Sequence, residues 1–214
     1  MDNSFYKSTG ISLILGALLI IITMILHPSG GSIAHIIKIS QTITITHSLA
    51  ICSLPIILFG FYGLTIRILD TRRLSVLAFI TISFSLIAAM FAALFNGLVL
   101  PYFLNQYADR LDQNIDILKP ITNFSFAINT SLDYIFIVAC CVAILLYSFI
   151  ILLENKFPKW IGYLGIFITL FAVIGGFTSF VFTSLTGFRI FTFSIAFWIL
   201  SSGALLFITG KQVK

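Results

Sequence analysis

Residues 74–104 read LSVLAFITISFSLIAAMFAALFNGLVLPYFL. The run contains no Asp, Glu, Lys or Arg, and it exceeds the roughly 20 helical residues that cross a hydrocarbon core of about 30 Å. Five more apolar runs lie outward from it, at Gly10 to Leu26, Ile43 to Ile66, Ile121 to Leu153, Trp160 to Phe182 and Ile190 to Thr209. In lipid every backbone polar group must be satisfied within the segment, which leaves the helix as the form for such runs. The sequence therefore predicts an all-α, multi-pass membrane bundle of six transmembrane helices, one integral membrane domain over residues 1–214.

Composition agrees. Hydrophobic residues make up 59% of the chain and charged residues 9%, where a soluble domain carries about 25% charged residues. The net charge of +5 comes from twelve basic residues scattered singly between apolar runs. They form no stripe of the kind nucleic acid needs, so no nucleic-acid partner is expected. Lys7, Arg67, Arg72, Arg73, Lys156, Lys159, Lys211 and Lys214 flank one side of the spans, against Lys38, Arg110, Lys119 and Arg189 on the other. The positive-inside rule then puts both termini in the cytoplasm. An alternative reads the first run as a cleaved signal peptide ending at "SIA", before His35, although its start offers only Lys7 as a charged n-region.

The longest connection, "NQYADRLDQNIDILKP" from Asn105 to Pro120, is external in this topology. Tyr107, Leu111, Ile115 and Leu118 recur in steps of four, four and three, which suits an amphipathic helix on the outer leaflet, placed to cover a pocket. A plain solvated connector is the alternative.

Membrane helices associate through close van der Waals contact and interhelical hydrogen bonds, so stripes of small residues mark packed faces. The fifth run carries Gly162, Gly165, Thr169, Ala172, Gly176, Ser179 and Thr183. The third carries Ala78, Ser85, Ala89, Ala92 and Asn96, and the fourth Thr122, Ser125, Asn129, Asp133, Cys140, Ala143 and Tyr147. Asn96 and Asp133 thus continue packing stripes, and an ionisable residue at membrane depth faces the bundle interior as a rule. At 1.5 Å per residue from the cytoplasmic ends, His27 lies at about 24 Å, His47 at about 28 Å, Asn96 at about 33 Å, and Asp133 and Arg189 at about 30 Å. Lateral convergence of these residues makes an outward-facing polar pocket; without it they are polar groups at a membrane edge, and Arg189 is a snorkelling interface residue.

Asp133 and Asn129, one turn apart on one face, suit hydrogen bonding to a small polar ligand or ion, or proton exchange. The structural alternative bonds Asp133 to Asn96 or to the backbone. His35 and His47 are twelve residues apart, about 18 Å along a continuous helix, so they cannot share a metal. His27 with His47, and Asp133 as third ligand, remains the one metal or haem arrangement to consider; no paired-His spacing supports it, and no cofactor is expected. Cys52, Cys140 and Cys141 lack CxxC spacing and read as packing residues. No GxSxG, HExxH or phosphate-cradling glycine loop occurs. Pro55 frees the carbonyl of Ile51 and, with Gly60 and Gly63, marks a kink or hinge in the second span.

"HPSGG" at 27–31, His47 in the second span, "LFGFYGL" at its end and "NGLVLP" closing the third resemble small bacterial six-span membrane proteins of uncharacterised function. The resemblance covers the first half of the chain and implies a bacterial inner-membrane setting, with no activity attached. The expectation is a non-enzymatic protein that binds a small ligand, lipid or ion at Asp133, Asn96, His47, His27, Asn129 and Arg189, with transport across the membrane as an extension. One alternative is an accessory subunit, in a homo- or hetero-oligomer, that docks through the small-residue face of the fifth span. Another is a membrane-embedded metal or haem enzyme using His27 and His47.

Overall fold

Each predicted crossing is a helix in the computed structural model, which describes residues 3–69, 72–154 and 156–212. Five crossings are single helices: α1 (Asn3–Leu26), α3 (Ser40–Arg67), α6 (Leu111–Leu153), α7 (Lys159–Phe177) and α8 (Leu185–Gln212). The other is α4 (Arg72–Leu94), continued through a π-helical turn (Phe95–Val99) into α5 (Leu100–Asn105). A short α2 (Ile33–Lys38), capped by the Ser32 hydroxyl accepting from the His35 N–H, leads into α3. Six helices are long and apolar enough to cross a membrane, and the described residues contain no strand. Lys214, one of the residues behind the cytoplasmic assignment of the termini, lies outside the described residues.

The spans close into a ring in chain order: α1 packs on α3, α3 on α4, α4 on α6, α6 on α7, α7 on α8, and α8 back on α1. Without a hydrophobic force between helices, close approach and hydrogen bonds hold such a ring. α1 and α8 meet where Gly10 faces the Gly203 carbonyl and the Phe207 backbone. Polar side chains stitch the α4–α6 and α7–α8 seams and tie α3 to α6 across the ring. Ser85 Oγ donates to the Phe136 carbonyl (3.0 Å), Thr65 Oγ1 pairs with the Tyr147 hydroxyl (2.7 Å), and Trp198 Nε1 donates to the Ile161 carbonyl (3.0 Å). Outside, the ring is apolar, with Phe84, Phe167 and Phe177 exposed by 58, 67 and 87%.

The fifth-span stripe packs within the chain. Gly162 and Gly165 lie against Leu152, Ser148 and Trp198, and Thr169 Oγ1 reaches the Cys141 carbonyl (3.4 Å). The stripe stops short of its predicted length: α7 ends at Phe177, Gly176 and Ser179 are exposed, and Gly175 is the buried glycine of the last turn. Ser179 turns the chain with φ 62°, a left-handed conformation uncommon outside glycine.

Residues 111–120 differ from a free loop. They are the first turns of α6, whose 43 residues span about 64 Å, far more than a bilayer core. Tyr107, Leu111, Ile115 and Leu118 do face one way, packing with Ile33, Ile36, Ile43, Leu100 and Leu104 into a second apolar cluster. That cluster sits over the end of the ring opposite the termini, called here the histidine end. Gly60 and Gly63 are contact positions rather than a hinge: α3 runs unbroken past Pro55, and a Cβ on either glycine would run into Leu13 or Thr9 of α1.

Candidate functional site

Toward the termini the centre of the ring is filled by Phe61, Tyr147 and Trp198, each 0% exposed, with Phe61 stacked on both others and the three ring centroids 5.5 to 6.4 Å apart. Toward the histidine end the facing residues shrink to Ala50, Ala89, Ala92 and Ala93, and a cavity of about 270 Å³ opens. Five of the six spans wall it; α7 does not.

The predicted polar residues meet there. His27, His47, Asn96, Asn129 and Asp133 all line the cavity, so depth and stripe placement together located them. Asn129 Nδ2 donates to Asp133 Oδ2 (2.8 Å), the one-turn pairing their spacing allows. Asp133 is 9% exposed and forms no ion pair among the described residues. The bond to Asn96 that the structural alternative allowed is not made, and the Asn96 amide has no protein partner among the described residues.

His27 follows the last turn of α1, and its ring lies 4.9 Å from that of His47. His27 Nδ1 donates to the Pro28 carbonyl (3.0 Å) and His47 Nδ1 to the Ile43 carbonyl (2.8 Å). A carbonyl only accepts, so Nδ1 carries the proton in both rings and a neutral ring keeps its Nε2 lone pair. Burial, the His47 ring and Arg189 together lower the His27 pKa from 6.5 to about 4, against the opposing pull of the Pro28 carbonyl.

The sign of the resulting pH effect follows. His27 is neutral in the fold and has the higher pKa when unfolded, so the unfolded state binds more protons between pH 6.5 and 4. Its contribution to stability is complete above pH 6.5 and falls away toward pH 4. Melting of the detergent-solubilised protein is therefore expected to weaken as pH drops from 6.5 to 5, and to weaken less in His27→Gln; superimposable pH profiles of the two proteins would refute this.

Arg189 does not line the cavity. Its Nη2 donates to the His27 carbonyl (2.8 Å), so it satisfies a backbone acceptor past the end of α1 and ties that segment to α8. His35 stands apart on α2, with its backbone N–H on Ser32.

Three features of the wall escaped sequence reading. Gly97 leaves room for the His47 ring, which a Cβ there would overlap. Around it the chain makes a π turn, in which the Leu100 N–H bonds back five residues to the Phe95 carbonyl, and Pro101, with no N–H, offers the Asn96 carbonyl no donor in that register. Thr23 and Thr192, only 5 and 7% exposed, line the cavity and have hydroxyls with no partner among the described residues. Thr46 and Thr130 in other helices, and Thr178 just past α7, bond the carbonyl four residues back, the usual resort of a membrane threonine.

A second cavity of about 60 Å³ shares His27, Pro28, Gly30, His47 and Asn96 with the first and is otherwise walled by Ser29, Ile36, Ile43, Leu100 and Phe126. The two histidines thus border both chambers. No group of three or more His, Cys, Asp or Glu side chains placed to hold a metal occurs among the described residues.

Six apolar spans in a ring, with a largely apolar cavity carrying a few polar side chains at one end, define a multi-pass helical membrane protein. No family model, curated protein or solved structure matches the chain.

Proposed function

We propose that this chain is a non-enzymatic membrane protein that binds a small polar ligand in the 270 Å³ cavity, with Asp133, Asn129 and Asn96 as anchors and His47 and His27 as hydrogen-bond partners at its mouth. The observation that carries this reading is the convergence of five polar residues, from the segment after α1, from α3, from the π turn and from α6, on one space, instead of their scatter around a membrane edge. Buried polar groups need partners, and the Thr23 and Thr192 hydroxyls find none in the protein among the described residues; half-buried Asn96 on the same wall has no protein partner among the described residues either. A cavity of about 270 Å³ suits a compact small molecule.

The adjoining 60 Å³ chamber favours passage of the ligand toward the histidine end, past His27 and His47. The bias of basic residues supports cytoplasmic termini, so that end faces outward, and the short motifs support a bacterial inner membrane. Docking to a partner through α7 has less behind it, because the small-residue face is occupied by α6 and α8 of the same chain.

The test is a thermal-shift panel of small amines, carboxylates, alcohols and amides on the solubilised protein and on Ala93→Phe, a substitution that fills the cavity from α4. At least one class is expected to raise Tm in the wild type and not in Ala93→Phe. No shift from any class, or equal shifts in both proteins, would refute ligand binding at this cavity.

A further inference from the structure

Resting on ligand binding at this cavity, we propose that the ligand is a small organic cation: an ammonium head seated at Asp133 and a short apolar body against the wall. The inference comes from counting hydrogen-bonding roles. Asp133 offers carboxylate lone pairs beyond the one taken by Asn129. Nδ1 of both histidines is committed to a backbone carbonyl, so the nitrogens left over, Nε2 of His27 and His47, are acceptors in the neutral rings. The Asn96 carbonyl, to which Pro101 offers no donor in the π register, adds a fourth acceptor at the same level.

The side-chain donors on the wall carry no charge: the Asn96 amide, the second N–H of the Asn129 amide and the hydroxyls of Thr23, Thr183 and Thr192, which give or accept equally. Among the lining residues, Asp133 on α6, His47 on α3 and His27 after α1 are the titratable groups; α4 and α8 contribute no charged side chain. Arg189, the nearest cation, is turned to the His27 carbonyl and does not line the cavity, although its Nε has no partner. A wall rich in acceptors, with one buried carboxylate lacking a cationic partner, selects a ligand that brings donors and positive charge.

The rest of the wall sets the body of that ligand. Ile20, Met24, Leu54 and Leu86 are apolar, and the Phe136 and Phe188 rings, 5.8 Å apart, offer aromatic faces that also attract a cation. A bare metal ion would leave most of the 270 Å³ unfilled.

Three probes of one shape decide the matter: benzylammonium, benzyl alcohol and benzoate, titrated at neutral pH into the full-length protein in mild detergent and into Asp133→Asn. Benzylammonium is expected to bind the wild type at least tenfold more tightly than the other two, and to fall to the affinity of benzyl alcohol in Asp133→Asn. Circular dichroism and melting confirm that the variant is folded, and the wild-type ranking stands on its own if it is not. Equal or tighter binding of benzoate or benzyl alcohol, or an unchanged benzylammonium affinity in folded Asp133→Asn, would overturn the cation assignment and leave ligand binding intact. Failure of benzylammonium alongside a Tm shift from carboxylates, alcohols or amides in the panel would do the same; failure of every class would remove both readings.

Discussion

Gly97→Ala is expected to eject the His47 ring from the cavity wall. A Cβ on Gly97 would lie on top of the Cβ and Cγ of His47, atoms next to the α3 backbone that no rotamer carries far away. The ring is further fixed by its bond to the Ile43 carbonyl, so relief requires α3 and the π turn to separate. Overpacking of this kind costs about 1–3 kcal/mol, and the gain in helix propensity from replacing glycine offsets at most about 1 kcal/mol of it. The functional loss should exceed the loss of stability, because the contact between His47 and His27, Asn96's place on the π turn and the border between the two chambers all meet at this position. Side-chain NMR of the histidines, with binding of the most effective panel compound, reads both effects. The two imidazoles should lose their mutual contact and affinity should drop at least tenfold. A variant that keeps the contact and binds normally would mean that Gly97 is not what seats His47.

Gly10→Ala is expected to cost stability by parting the seam between α1 and α8. Its Cβ would stand 2.7 Å from the Phe207 nitrogen and 2.9 Å from the Gly203 carbonyl, both backbone atoms, so no side chain can yield. The seam between α1 and α8 closes the ring, and parting it exposes Leu13 and Leu206, both 0% exposed in the fold. The cost should reach the upper part of the ~1–3 kcal/mol overpacking range, about 5–10 °C in Tm for a chain of this size. Gly176→Ala is the matched control, since nothing lies within 4 Å of a Cβ there. Equal melting temperatures for the two variants would show that α1 and α8 do not approach this closely.

Much of this architecture was readable because lipid is an exacting solvent. It demands an unbroken apolar run at every crossing, so the six spans followed from hydropathy, and the flanking polar residues blurred only their ends. The site was legible in part for a related reason. Asn96, Asn129 and Asp133 interrupt apolar runs on the same face as Ala89, Ala92 and Ala143, and polar groups placed on a packing stripe have the interior to face. Position along the helix then put His27 and His47 at the same level.

The remainder depended on contacts that spacing does not encode. Leu111 to Pro120 carries Asp112, Asp116 and Lys119, so hydropathy reads a loop where α6 extends past the membrane with those charges outward. Its apolar side was visible in the steps between Leu111, Ile115 and Leu118; its continuity with the span was not. Gly97 is one glycine among 14 until the His47 ring is seen against it. Thr23 and Thr192 look like ordinary membrane threonines, and their missing bond, which Thr122 shares away from the cavity, gains meaning only from their place on its wall. Arg189 sits at the expected depth but serves the backbone of His27, a role that its position in the sequence could not separate from ligand contact.

Stoichiometry tests the cavity most directly. Equilibrium dialysis of the panel compound that gives the largest Tm shift, against the wild type and Ala93→Phe in the same detergent, should show saturable uptake of one molecule per chain in the wild type and none above the detergent background in the filled variant. Uptake that is equal in the two proteins, or that rises with detergent without saturating, would place the compound outside the ring and contradict ligand binding between the five spans.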